Sequence, residues 1–345
     1  MRDPLLKGRA KRIEWLWEEI QSSMIETQIP IQNAKFPRGE ILLENDLYGN
    51  ASIVRAAYDN FMDEMPLIIP HGVHWDGSVW LREINIGLPV LVFSSEHLRF
   101  VSEVARRKKK RVDVILHTHP FRLLCELFQV SQEWSFGRKE RYLMVLPHGT
   151  QRNKVSFDEE RIIEIIESTG LEKKNIDVLV HSNDYICLER IFTRNQISVK
   201  CLGDKYDPRY LARFIKLVSG YKRVYSIGLG SALHFSAQLG LECWVSLNPF
   251  STTSKWGAGS QAKQLMLSSD REVMLIKSLR EEDNCDGNVC QGEFFRRCNV
   301  EVLLKYWNMN SRINIRKLDV KMSEGLIARC QSVSEDDRGV ENYFG

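Results

Sequence analysis

The stretch VYSIGLGSALHFSAQLGLECWV, Val224 to Val245, reads as the end of one strand, a glycine turn, a short helix and the start of another strand. Gly228 and Gly230 let the backbone turn tightly, and Ser231 is expected to cap the helix that follows. Backbone N–H groups at such a helix start point outward, and with the helix dipole they favour an anion, phosphate above all. Along the helix Ser231, His234 and Gln238 form a polar stripe, while Ala232, Phe235 and Leu239 form an apolar one. A dinucleotide fingerprint requires a third glycine at position 233 and an acid about twenty residues after the first glycine. The chain has Leu233 and Asn248 there, so a nicotinamide dinucleotide is not expected.

The same grammar recurs along the chain. Pro66 to Pro70, Leu88 to Ser94 and Arg111 to His117 are short runs rich in Val, Ile and Leu, as strands covered on both faces should be. Tyr142 to Gly149, Ile176 to Asn183, Ile197 to Gly203, Arg223 to Gly228 and Leu241 to Leu247 repeat the pattern. Amphipathic helices fall between them: Ile162, Ile163, Ile165 and Ile166 share a face, and Asp207-Pro208 is a helix start signal. Strand, crossover helix and strand in alternation predict an α/β fold built of two Rossmann-like doubly wound domains facing across a cleft. The boundary is expected near residue 140: an N-terminal acceptor-side domain over 1–140, a donor-nucleotide domain over 141–265, and a mostly helical extension with a polar tail over 266–345.

Composition bounds the function. A length of 345 residues with 43% hydrophobic and 27% charged residues describes a folded, soluble chain rather than a disordered or fibrous one. The net charge of +3 is too small to call for a nucleic-acid partner, and the basic run Ala105 to Asp113 has no interleaved aromatics for base stacking. That run is expected to be the solvated end of a surface helix, or else a contact with anionic lipid head groups. The N-terminus mixes charge into its apolar positions and does not read as a secretion signal, and no apolar run reaches the length that spans a bilayer. The eight cysteines are scattered as in a cytoplasmic protein, and the spacing of Cys285, Cys290 and Cys298 lies outside tight zinc pairs.

In open α/β sheets ligands bind beyond the carboxyl ends of the strands, so residues just past each strand are the candidates. His148, Gly149 and Thr150 follow one strand and suit the close approach of a phosphate or sugar. His71, Gly72, His74 and Asp76 follow another and repeat its Pro-His-Gly; an Asp or His there can act as general base on an acceptor hydroxyl. His117 and His119 add a His-x-His pair, which with His71, His74 and Asp76 opens a metallo-hydrolase alternative. Phe121 and Arg122 stand where a binuclear metal signature would carry Asp and His.

Pro-His-Gly after an early strand, Leu-Pro-His-Gly-Thr opening the second half, and the segment Asp207 to Val245 together resemble the GT-B fold of nucleotide-sugar glycosyltransferases. They look most like bacterial proteins associated with surface-polysaccharide synthesis. The likeness spans roughly Pro66 to Pro249. It implies a sugar moved from a nucleotide-sugar to a saccharide or lipid-linked acceptor, without a cofactor or bound metal. The phosphates of the donor are expected at Gly228, Gly230, Ser231 and His234, with His148, Gly149 and Thr150 opposite and Asp184, in Ser182 to Asp184, among the polar donor contacts. Asp76, His71 and His74 are the candidates for the base. His119-Pro120 matches only the dipeptide that some sialyltransferases use. The implied setting is cytoplasmic, with a peripheral contact at the inner membrane face. A UDP-sugar epimerase of the same fold and a non-catalytic sugar-nucleotide binder are the remaining alternatives.

Overall fold

The apolar runs become parallel strands in both halves of the chain, and the polar stretches between them become helix starts and turns. The computed structural model describes residues 10–22, 43–57, 67–71, 81–130, 140–148, 153–246, 251–254, 290–291 and 295–298. In the first half these form α1 (Glu14–Gln21), α2 (Leu43–Asp46), a 3-10 turn (Leu47–Gly49), α3 (Asn50–Ala57), α4 (Leu81–Ile86), β1 (Val90–Val92), α5 (Ser95–Arg107), β2 (Val114–Leu116) and α6 (Pro120–Phe128). β1 and β2 pair in parallel with Val90 opposite Val114, and Ile68 adds a parallel bridge on the other side of Val90.

The Pro66 to Pro70 run supplies only that bridge among the described residues, and its outer edge is met by a side chain. The Asn45 amide donates to the Leu67 carbonyl and accepts from the Ile69 N–H, both at 2.8 Å, as a neighbouring strand would. α5 opens at Ser94, whose hydroxyl accepts the His97 N–H at 3.0 Å. It closes in the basic run, where Arg106 and Arg107 pair with Glu103 at 2.9 and 2.7 Å and Lys108 to Arg111 are exposed. Cations there suit the negative end of the helix dipole.

The second half contains β3 (Tyr142–Val145), β4 (Asn153–Ser156), α7 (Glu159–Glu167), β5 (Ile176–Leu179), α8 (Tyr185–Arg194), β6 (Ser198–Lys200), α9 (Tyr210–Ser219), β7 (Arg223–Ile227), α10 (Ser231–Gln238) and β8 (Glu242–Ser246). It is followed by β9 (Ser251–Ser254), β10 (Cys290–Gln291) and β11 (Phe295–Arg297). The main sheet runs β10-β11-β8-β7-β3-β5-β6. The stretch from β8 to β6 is parallel, while β11 joins β8 antiparallel. From β3 the chain steps outward through β5 to β6, then crosses back to lay β7 and β8 on the other side. The described residues of the 266–345 stretch are therefore strands that extend the sheet edge. β4 and β9 form a separate antiparallel ribbon with Asn153 opposite Ser254.

Successive side chains on each strand enter different cores, as the period of two requires. Met144, Val178, Tyr225 and Trp244 pack with Ile162, Ile165 and Ile166 of α7 and Leu188 and Phe192 of α8. Leu143, Leu179, Val224 and Val245 face the opposite way, toward α9 and α10. Helices on both faces make this a doubly wound α/β sheet.

That second core is shared with the first half. It also holds Leu67, Ile69, Leu91 and Phe93 beside α1, α3 and α6. Phe121 of α6 stacks on Phe235 of α10 with ring centroids 4.2 Å apart. Glu19 of α1 pairs with Arg213 of α9 at 3.2 Å, and the Tyr48 N–H donates to the Lys205 carbonyl at 2.6 Å. Among the described residues no helix is long and apolar enough to cross a membrane.

Candidate functional site

A doubly wound sheet opens a crevice where successive connections diverge, at the carboxyl ends of the two strands flanking the reversal. Here those strands are β3 and β7, paired with Val145 opposite Ser226. The Leu146 to His148 segment leaves one and the Gly228 to Gly230 turn leaves the other. Gly228 takes φ +82°, which glycine adopts without strain. Its N–H donates to the Ser246 carbonyl at 2.7 Å and its carbonyl accepts the Ser226 hydroxyl at 2.9 Å, so the turn is fixed to the sheet.

Gly230 serves a different purpose. Its φ of −118° is open to any residue, and a Cβ there would meet none of the described residues within 4 Å. The missing side chain leaves space at the mouth of α10. Ser231, expected to cap that helix, is instead its first residue, and Gly230, which has no side chain to cap with, holds the cap position. A helix start carries N–H groups and the positive end of the helix dipole, both of which favour an anion.

Beyond β3, β5 and β6 lies a cluster of basic groups. The rings of His148 and His181 stack with centroids 4.6 Å apart and planes 19° from parallel. Desolvation lowers the pKa of both, and the Lys205 cation adds to the effect; His181 falls to about 3, while the Asp184 carboxylate partly offsets the fall at His148. Asp184 ends the turn that begins at His181, its N–H donating to the His181 carbonyl at 3.0 Å, and it precedes α8 without capping it. Lys205 lies in the turn after β6, its ammonium 5.1 Å from the centre of the Tyr206 ring.

His71, at the end of the described 67–71 segment, has its ring 6.1 Å from that of Tyr48. Tyr48 also packs against Tyr210 at 4.7 Å, and its N–H is the one that holds the Lys205 carbonyl. Tyr48 thereby connects the strand end carrying His71 to the turn carrying Lys205. Gly149, Thr150, His74 and Asp76 lie outside the described residues.

His234 is fully buried, and burial alone pulls its pKa down to about 3. The stripe it shares with Ser231 and Gln238 is largely buried too, with only Ser231 partly exposed, because α10 is covered on both sides. His117 and His119 are built into the start of α6. His119 Nδ1 accepts the Phe121 N–H at 3.0 Å, and its ring meets Phe93 edge-on at 4.7 Å. His117 Nδ1 lies 2.6 Å from the Thr118 carbonyl, and desolvation lowers its pKa to about 4. Among the described residues no group of three or more His, Cys, Asp or Glu side chains is placed to share a metal ion. Glu242 sits at the amino end of β8, where it pairs with Arg223 at 3.0 Å, away from the crevice.

Sequence reasoning passed over three residues of this region: His181, Lys205 and Tyr48. His181 stands at the end of a strand just as His148 does, and that shared position was the available signal. Nothing local in the sequence marks Lys205 or Tyr48, which are brought in by packing between the halves. No protein-family model matches the chain, and no curated protein matches it in sequence.

Proposed function

We propose that the protein is a glycosyltransferase that moves a sugar from a nucleotide-sugar donor to a saccharide or lipid-linked acceptor, in a two-domain GT-B arrangement. The observation that supports this reading best is the pairing, at the switch point of a doubly wound sheet, of a helix mouth fronted by Gly230 with the His148 strand end. Such a crevice suits a phosphorylated nucleoside. The exposed Lys108 to Arg111 run is compatible with an acceptor at an anionic membrane surface.

In this reading the acceptor hydroxyl attacks the anomeric carbon and the bond from that carbon to the donor phosphate oxygen breaks. The nucleotide leaves with the electron pair, and a base among Asp76, His71 and His74 takes the hydroxyl proton. N–H groups at the mouth of α10 stabilise the charge that develops on the leaving phosphate. Exclusion of water as the halves enclose the donor favours transfer over hydrolysis.

A thermal-shift screen with UDP, GDP, CDP, CMP, TDP and ADP tests the donor site, since a ligand of the folded state raises its melting temperature. A rise with one nucleotide supports the reading, and no rise with any of them contradicts it. Retained turnover after Asp76→Asn and His71→Gln together would remove those residues from the catalytic assignment and leave the donor site standing.

A further inference from the structure

A buried hydrogen-bond donor in the histidine cluster lacks an acceptor. His181 Nδ1 accepts the Asn183 N–H at 3.2 Å. A backbone N–H can only donate, so Nδ1 carries no proton and the neutral ring must carry its proton on Nε2. That Nε2 is shielded from solvent and has no hydrogen-bond partner among the described residues. A buried donor left unmade is costly, and here it lies beside a second imidazole, His148, and within the field of the Lys205 ammonium. A donor, a cation and a stacked ring gathered at the carboxyl ends of adjacent strands call for an anionic oxygen.

We infer that His181 Nε2, Lys205 and His148 form a binding site for a phosphate group, separate from the mouth of α10. His181 donates one neutral hydrogen bond, Lys205 supplies the charge, and His148 covers the exposed side. Two sources share this chemistry: a further phosphate of a bound nucleotide, or a phosphate on another molecule entering the same crevice. The site stands whether or not the sugar-nucleotide reading does.

The test is a titration of the full chain with inorganic phosphate at neutral pH, ionic strength held by chloride, read by the histidine ring resonances. The His148 and His181 signals are assigned by their loss in His148→Asn and His181→Asn. His181→Asn keeps an oxygen where Nδ1 accepts the Asn183 N–H and deletes only the Nε2 donor. Saturable shifts of both rings are expected, with phosphate affinity falling roughly tenfold or more in His181→Asn and Lys205→Gln, and partial recovery in His181→Gln. Thermal unfolding of each variant verifies that it is folded. Absence of a saturable shift, or wild-type affinity in both His181→Asn and Lys205→Gln, overturns the site. A nucleoside diphosphate that binds tighter than its monophosphate, with the difference lost in His181→Asn, supports a nucleotide source. Phosphate binding lost in His181→Asn with no nucleotide binding supports the site and overturns the sugar-nucleotide reading alone.

Discussion

Gly49 lies so close to Pro208 that a Cβ built on it would stand 2.3 Å from the Pro208 carbonyl oxygen. Its φ of +79° is also in the left-handed region. Backbone strain and a clash with backbone therefore act together where the first half of the chain meets the second. Gly49→Ala is expected to destabilise the fold by about 2–4 kcal/mol in urea unfolding. Gly87→Ala is the control: its φ is +75° but none of the described residues lies within 4 Å of the added Cβ, so strain alone should cost about 1 kcal/mol. Equal losses in the two variants would contradict the close approach.

Asp177, buried at the amino end of β5, accepts from Arg141 at 2.6 and 2.7 Å and from the Tyr221 hydroxyl at 2.5 Å. Burial, and then the carboxylate, push the Tyr221 phenol well above its ordinary pKa. Tyr221→Phe removes one of the bonds that hold a buried charge and should lower stability by about 1.5–3 kcal/mol. This end of the sheet lies opposite the crevice, so ligand affinity should not change. A loss of affinity without loss of stability would contradict that separation.

Burial holds His234 near a pKa of about 3 and His117 near about 4, below the ordinary histidine value. The unfolded chain therefore binds more protons than the folded one between those values and about 6.5. Stability is fully present above pH about 6.5 and is lost as the pH falls, by roughly 1.4 kcal/mol per pH unit for each such ring. His234→Leu should flatten this slope by about one proton in unfolding measured from neutral to acid pH. An unchanged slope would contradict the neutral buried ring.

The parallel strands of the main sheet, β3 and β5 to β8, were legible because Val, Ile and Leu runs bounded by turn residues have few other uses, whereas β10 and β11 fall in a stretch read as mostly helical. So was the approach to α9: Asp207, read with Pro208 as a start signal, accepts the Arg209 N–H at 2.9 Å just before the helix begins at Tyr210. β4 and β9 were not legible, since Asn-Lys-Val-Ser and Ser-Thr-Thr-Ser lack an apolar signal and become strands only by pairing with each other. Asn45 as a surrogate strand edge and Tyr48 as a link to Lys205 depend on contacts between distant residues. His148 and the Gly228 to Ser231 turn were marked by glycine beside a polar residue at a strand end. His181 has Ser182 after it instead, and its polar surroundings resembled an ordinary turn.

A substitution at Gly230 is expected to separate folding from binding. With an ordinary φ and open space around the missing Cβ, Gly230→Val should keep stability within about 1 kcal/mol. Its branched side chain would occupy the space in front of α10. Thermal unfolding without ligand checks the first half of this expectation, and a large drop in melting temperature would contradict it.

The most direct measurement is calorimetric titration of the wild-type chain and of Gly230→Val with the nucleotide that gives the largest thermal shift. With a phosphate held at the mouth of α10, saturable binding to the wild type is expected and a loss of roughly tenfold or more in the equally stable variant, because the phosphate and the new side chain compete for one place. Equal affinity in the two proteins, or no nucleotide binding by the wild type, would contradict a phosphate at the mouth of α10.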